Sequence, residues 1–125
     1  MDKAGLRSEY KLKRSQLSSS EIKSYSEQIF TLIKSHFRLD NKTIHIFLPI
    51  SKFNEVNTEP FIEFLLELKC TVATSITHFD PLGLTHCIID NNTSYETDKF
   101  GIPCPIEGVA ISENKIDLVI IPLLA

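Results

Sequence analysis

Thr43-Ile44-His45-Ile46-Phe47-Leu48 is the stretch that decides the fold. It is a short run of β-branched and aromatic residues closed by Pro49, which is the composition of a strand. Working outward, Ile50 to Asn57 forms a loop. Thr58 then stands where a helix N-cap is needed, and Pro60 is tolerated in a first turn because its missing N–H has no intrahelical partner there. The helix is predicted to run to about Lys69 and to bury Phe61, Ile62, Leu65 and Leu66, after which Cys70 to Ile76 reads as the next strand. Strand–helix–strand over roughly thirty residues is a βαβ unit, which pairs parallel strands through a right-handed crossover.

Upstream, Lys3 to about Gln16 is predicted helical, with Leu6, Tyr10 and Leu17 at helical spacing and no proline between. Ser18 followed by Glu21 fits a capping box. It opens a second helix, to about Phe37, whose apolar face is Ile22, Tyr25, Ile29, Ile33 and Phe37. Downstream, Asp80-Pro81-Leu82-Gly83 is a turn and Leu84 to Asp90 a strand. Tyr95 to Gly108 holds Gly101, Pro103, Pro105 and Gly108 and reads as a loop. Asp117 to Ile121 is a continuous apolar run, as expected of a strand covered on both faces. These elements predict one α/β domain over residues 1–125, three-layered and Rossmann-like, with a mostly parallel sheet.

The 125 residues, 42% hydrophobic and 23% charged, are those of a globular protein with one core. A net charge of −3 gives no broad electrostatic case for nucleic acid or an anionic membrane, and no apolar run reaches the length of a membrane span. Cys70, Cys87 and Cys104 are odd in number and lack a Cys-x-x-Cys pair, so neutral thiols of a reducing cytoplasm are expected rather than a disulfide framework. His36, His45, His78 and His86 show no metal-ligand spacing; His45 and His86 fall in strands and are expected to be satisfied structural histidines.

Three segments have the residue types for ligand chemistry. Lys3, Arg7, Lys11 and Arg14 share one face of the first helix, a stripe that suits a phosphate and equally describes a solvated basic face. Asn54-Glu55-Val56-Asn57-Thr58 follows the first strand, on the side of an open sheet where ligands bind. Ionised Glu55 is an acceptor for a heterocycle's N–H groups, or simply a loop residue beside a cap. Phe100-Gly101-Ile102-Pro103-Cys104-Pro105 has the stiffness of a pocket lip or of a plain surface loop. The glycines Gly5, Gly83, Gly101 and Gly108 are scattered, so none forms a phosphate-cradling loop.

In order along the chain, Lys3-Ala4-Gly5-Leu6-Arg7, Leu17-Ser18 with Glu21, Glu55-Val56-Asn57-Thr58, Phe100-Gly101-Ile102-Pro103 and Asp117-Leu118-Val119-Ile120-Ile121-Pro122 resemble the motifs of the 5-formyltetrahydrofolate cyclo-ligases, also called 5,10-methenyltetrahydrofolate synthetases. The resemblance implies a cytoplasmic, monomeric enzyme that uses MgATP to close 5-formyltetrahydrofolate, with or without a polyglutamate tail, to the 5,10-methenyl form. Phosphoryl transfer to the formyl oxygen would make it a good leaving group, a step that needs positioning and charge neutralisation. It implies ATP contacts at Lys3 and Arg7 and folate contacts at Glu55 and Leu48, with nothing assigned to Lys11 or Arg14. Cys104 stands where the family often has Glu, and Leu123 where Gly is common. The family's Gly-rich phosphate segment and its Mg²⁺-serving acids follow the last strand and are expected beyond Ala125, so catalytic and metal residues are not assigned within this chain. The expectation is an N-terminal portion with little or no turnover of its own. The alternative is a non-catalytic α/β module that binds a phosphorylated ligand or a protein.

Overall fold

The computed structural model describes residues 2–124, the side chain of Ser51 excepted. Its helices are α1 (Lys3–Ser15), α2 (Ser19–His36) and α3 (Glu59–Glu67). Its strands are β1 (Thr43–Ile46), β2 (Thr71–Phe79), β3 (Leu82–Ile89), β4 (Tyr95–Thr97), β5 (Pro103–Pro105), β6 (Val109–Ala110) and β7 (Leu118–Ile120). The main sheet has the order β6-β3-β2-β1-β7. β1 is parallel to β2 and β7, while β3 is antiparallel to both β2 and β6. Four of the five strands therefore run the same way and β3 alone is reversed, which bears out the α/β class and the largely parallel sheet.

Strand alternation separates two faces. Ile44 and Ile46 of β1, Val72 of β2 and Cys87 and Ile89 of β3 pack beneath Phe30 of α2 and Phe61 and Leu65 of α3 in one buried cluster. Phe30 and Phe61 stack with ring centroids 4.4 Å apart. The other face is lined by His45, Phe47, Ser75, His86, Val119 and Ile121, joined there by Glu113 and Ile116. The 3-10 turn Glu113–Lys115 and its flank lie over one part of it, and Phe100, 4.7 Å from Phe79 between ring centroids, over another.

Several expectations need correction. The α2 stripe is rotated: Ser26 and Phe30 are buried, whereas Tyr25, Ile29 and Phe37 are exposed. Ile22, Tyr25 and Ile29 instead face Tyr10 and Leu17 of the α1 segment across a cavity, and α1 itself buries no residue. A cap that the sequence reading does not name starts α1: Asp2 accepts a hydrogen bond from Gly5 N at 2.7 Å and puts a carboxylate at the positive end of the helix. Thr58 is not the side-chain cap of α3. Its hydroxyl donates to Phe47 O at 3.2 Å, while Asn57 Oδ1 accepts from Glu59 N.

The predicted 95–108 loop contains the β4–β5 hairpin. Ile106 N donates to Ser94 O and Asp98 N to Ile102 O. By antiparallel alternation Pro103 and Pro105 then occupy pairs that need no N–H, which is where a strand tolerates proline. β7 is an edge strand with one open face: Val119 is 47% exposed and Ile121, just past it, 61%. The capping box at Ser18 and Glu21 is present as predicted.

Candidate functional site

The carboxyl ends of β1 and β7 open into a cavity of about 440 Å³ whose lining includes Arg14, Leu48, Ile50, Glu55, Ile102 and Leu123. This is the ligand side of an open α/β sheet. Glu55 is half-buried, and its Oε2 accepts from Ile50 N at 2.9 Å, which folds the loop back on itself. Oε1 has no protein partner among the described residues, so the carboxylate keeps acceptor capacity toward the cavity. Ile102 supplies a wall from the segment predicted as a lip. Gly101 sits at φ 80°, a left-handed conformation that favours glycine, and the exposed Lys52 side chain reaches it.

Asn54 connects this loop to α1. Its Nδ2 donates to Arg14 O at 3.1 Å, and also lies within hydrogen-bond range of Ser15 O and Leu17 O. The carbonyls at the end of a helix lack intrahelical partners, and one amide serves them here. Asn54 sits at φ 51°, a left-handed conformation that asparagine tolerates. The end of α1 is thereby fastened beside Glu55.

The structure brings Glu55 and Leu48 together in the one cavity. Lys3 and Arg7 are exposed near the start of α1 and line none of the cavities described here. The α1 cation that does reach the cavity is Arg14. Periodicity showed which helix face Arg14 occupies. It carried no signal that a distant loop, through Asn54, would draw that end of the helix against Glu55.

Cys104 is half-buried on β5. Burial pushes its thiol up, as do the nearby charges of Glu96 and Asp98. Burial also raises Cys70 and Cys87, so all three cysteines are unpaired neutral thiols, as expected. Among the described residues no three His, Cys, Asp or Glu side chains converge as a metal site, and no helix is long and apolar enough to cross a membrane.

The open sheet face holds a polar chain. Buried His45 bonds through Nε2 to Ser75 Oγ at 2.7 Å, and Ser75 Oγ lies 3.2 Å from His86 Nδ1. His86 Nε2 is 3.5 Å from Glu113. His45 is satisfied on one side only: its Nδ1 is buried without a partner. Desolvation, and secondarily the charge of His86, holds the His45 pKa below its ordinary value.

No family model and no curated protein matches the chain. Solved structures do. The NMR structure of Aquifex aeolicus 5,10-methenyltetrahydrofolate synthetase matches 95% of this chain and 59% of that one, with a TM-score of 0.77 and 22% identity. The 5,10-methenyltetrahydrofolate synthetase of Mycoplasma pneumoniae matches 98% of this chain and 65% of that one, with a TM-score of 0.66 and 26% identity. The chain thus spans less than two thirds of either neighbour while sharing the fold of these synthetases over nearly all of its own length, in keeping with the kinship that its short motifs implied.

Proposed function

We propose that this chain is the nucleotide-helix and folate-wall portion of an ATP-dependent 5-formyltetrahydrofolate cyclo-ligase. The observation that carries the reading is the meeting of Glu55 and Leu48 in one cavity at the carboxyl end of β1. Glu55 receives N–H donors of the reduced pterin, and Leu48 with Ile102 supports its apolar surface. Lys3 and Arg7, exposed on α1, take the ATP phosphates. Mg²⁺ accompanies the ATP, but the described residues offer it no ligand set, so no step is routed through it. The chemistry left to these residues is orientation: α1 and the 48–58 loop, joined through Asn54, hold one reactant near the other.

The test is direct titration of the chain with 5-formyltetrahydrofolate. Glu55→Gln keeps an oxygen for Ile50 N, while it removes the charge and turns the other, cavity-facing acceptor into an NH2 donor. Loss of charge-assisted hydrogen bonds predicts affinity lower by about tenfold to a hundredfold, with the unfolding midpoint unchanged. Equal affinity in parent and variant would remove Glu55 from the folate site. Glu55→Ala should bind as poorly and also lose stability, because Ile50 N–H is then left without its partner.

A further inference from the structure

Arg14 has no role in the function proposed above, yet its surroundings are those of a binding group. It lines each of three adjoining cavities, of about 370, 440 and 460 Å³, and Glu55 lines all three with it. Its backbone is held by Asn54. Its Nε is buried and makes no hydrogen bond. The ion pairs among the described residues are Lys13 with Glu9 and His86 with Glu113, so the guanidinium has no carboxylate partner. The nearby Glu55 already accepts from Ile50 N. A half-buried guanidinium with a shielded, unused donor is costly unless an anion meets it.

The largest of the three cavities supplies the complement. Its charged lining is Lys11, Arg14 and Lys52 against Glu55 alone, with Asn54 and Ser15 as further polar groups. Three cations facing one carboxylate make a local positive field in a chain whose net charge is −3. Concave walls concentrate such a field. Arg14 offers a fixed planar fork, and the exposed Lys11 and Lys52 add mobile point charges at the rim.

We propose that this cavity is an oxyanion site in which Arg14, assisted by Lys52 and Lys11, grips a multiply charged phosphate or carboxylate group of a ligand bound beside Glu55. The site stands on the geometry of Arg14. It rests on the folate–nucleotide reading only for what carries the anion, either a nucleotide's phosphates or a folate's glutamate tail.

Calorimetric titration of the whole chain with inorganic tripolyphosphate tests the phosphate arm. Mono- and pentaglutamyl 5-formyltetrahydrofolate test the carboxylate arm. Arg14→Gln is expected to weaken tripolyphosphate binding at least tenfold, or to abolish the advantage of the pentaglutamyl form. Lys52→Gln should do the same at least threefold, and Lys23→Gln, on exposed α2 surface, should do neither. The unliganded Arg14→Gln chain should melt no lower than the parent, since Nε makes no bond to lose; a purely structural arginine would lower it. If Arg14→Gln fails to fold, Lys52→Gln decides. The proposal is overturned if the parent binds neither anion, or if Arg14→Gln and Lys52→Gln bind both as the parent does. Arg14-dependent tripolyphosphate binding without any folate binding keeps the anion site and removes the folate reading.

Discussion

The two faces of the central sheet come from alternate residues of the same strands, yet they differ in kind. Toward the helices, Ile44, Ile46 and Val72 are fully buried and Ile89 is 1% exposed. On the other face a His45–Ser75–His86 chain runs across three strands, beside the exposed Val119 and Ile121. Alternation decides which side chains share a face, while the elements laid over it decide whether that face becomes a core. Here α2 and α3 make one core, and stability should concentrate there.

The largest effect should therefore follow Phe61→Ala. Phe61 is 1% exposed and stacked on Phe30, and truncating a buried phenylalanine typically costs about 3–5 kcal/mol. Urea unfolding should show a midpoint lowered accordingly, with the slope unchanged. A loss of under about 1 kcal/mol would mean that the helix face is not the core, since core truncations rarely cost so little.

The histidine chain sharpens the contrast through pH. Desolvation depresses the folded pKa of His45 below the value of about 6.5 for an unperturbed histidine. The unfolded chain then binds more protons than the folded one at pH values below that point. Stability from this group is complete above pH ~6.5 and is lost as pH falls toward the depressed folded value. The loss approaches about 1.4 kcal/mol for each unit of depression. Urea midpoints measured from pH 7.5 down to 5.5 should fall, and His45→Gln should reduce that slope. A slope unchanged by the substitution would show that the second face holds His45 with no preference for its neutral form.

How legible these regions were follows from what each residue type encodes. The βαβ unit was plain because β-branched runs at 43–48 and 70–76 bracket an amphipathic helix with Pro60 in its first turn. The class of sheet and the chemistry of Glu55 could be argued from that unit alone. The β4–β5 hairpin was hidden because Pro103 and Pro105 read as breakers, and only cross-strand register reveals that they need no donor there. Thr58 looked like a cap because capping is local. Its actual partner, Phe47 O, comes from the preceding strand's end and is fixed only in the folded loop. Arg14 was hidden for the same reason: spacing assigns a cation to a helix face, but its lack of a counterion depends on what the fold brings near. The run 117–121 gave a strand and no sign that it would be an edge, since apolar composition reports burial preference and not neighbours.

The smallest effect should be at Ile121, 61% exposed on the open face. Ile121→Ser removes apolar surface that is already in water, so its stability should stay within about 0.5 kcal/mol of the parent. Solubility should move instead. With Val119, Ile121 belongs to an exposed apolar edge, the kind of surface that drives association, and the serine variant should sediment with less concentration dependence. These readouts respond to different causes. If the substitution costs more than about 1 kcal/mol, beyond the range of ordinary surface changes, then something covers Ile121 in solution, and the two faces differ less than their exposures indicate. If stability holds and self-association falls, the open face is a surface of the folded chain and the single core beneath α2 and α3 suffices to hold the site in place.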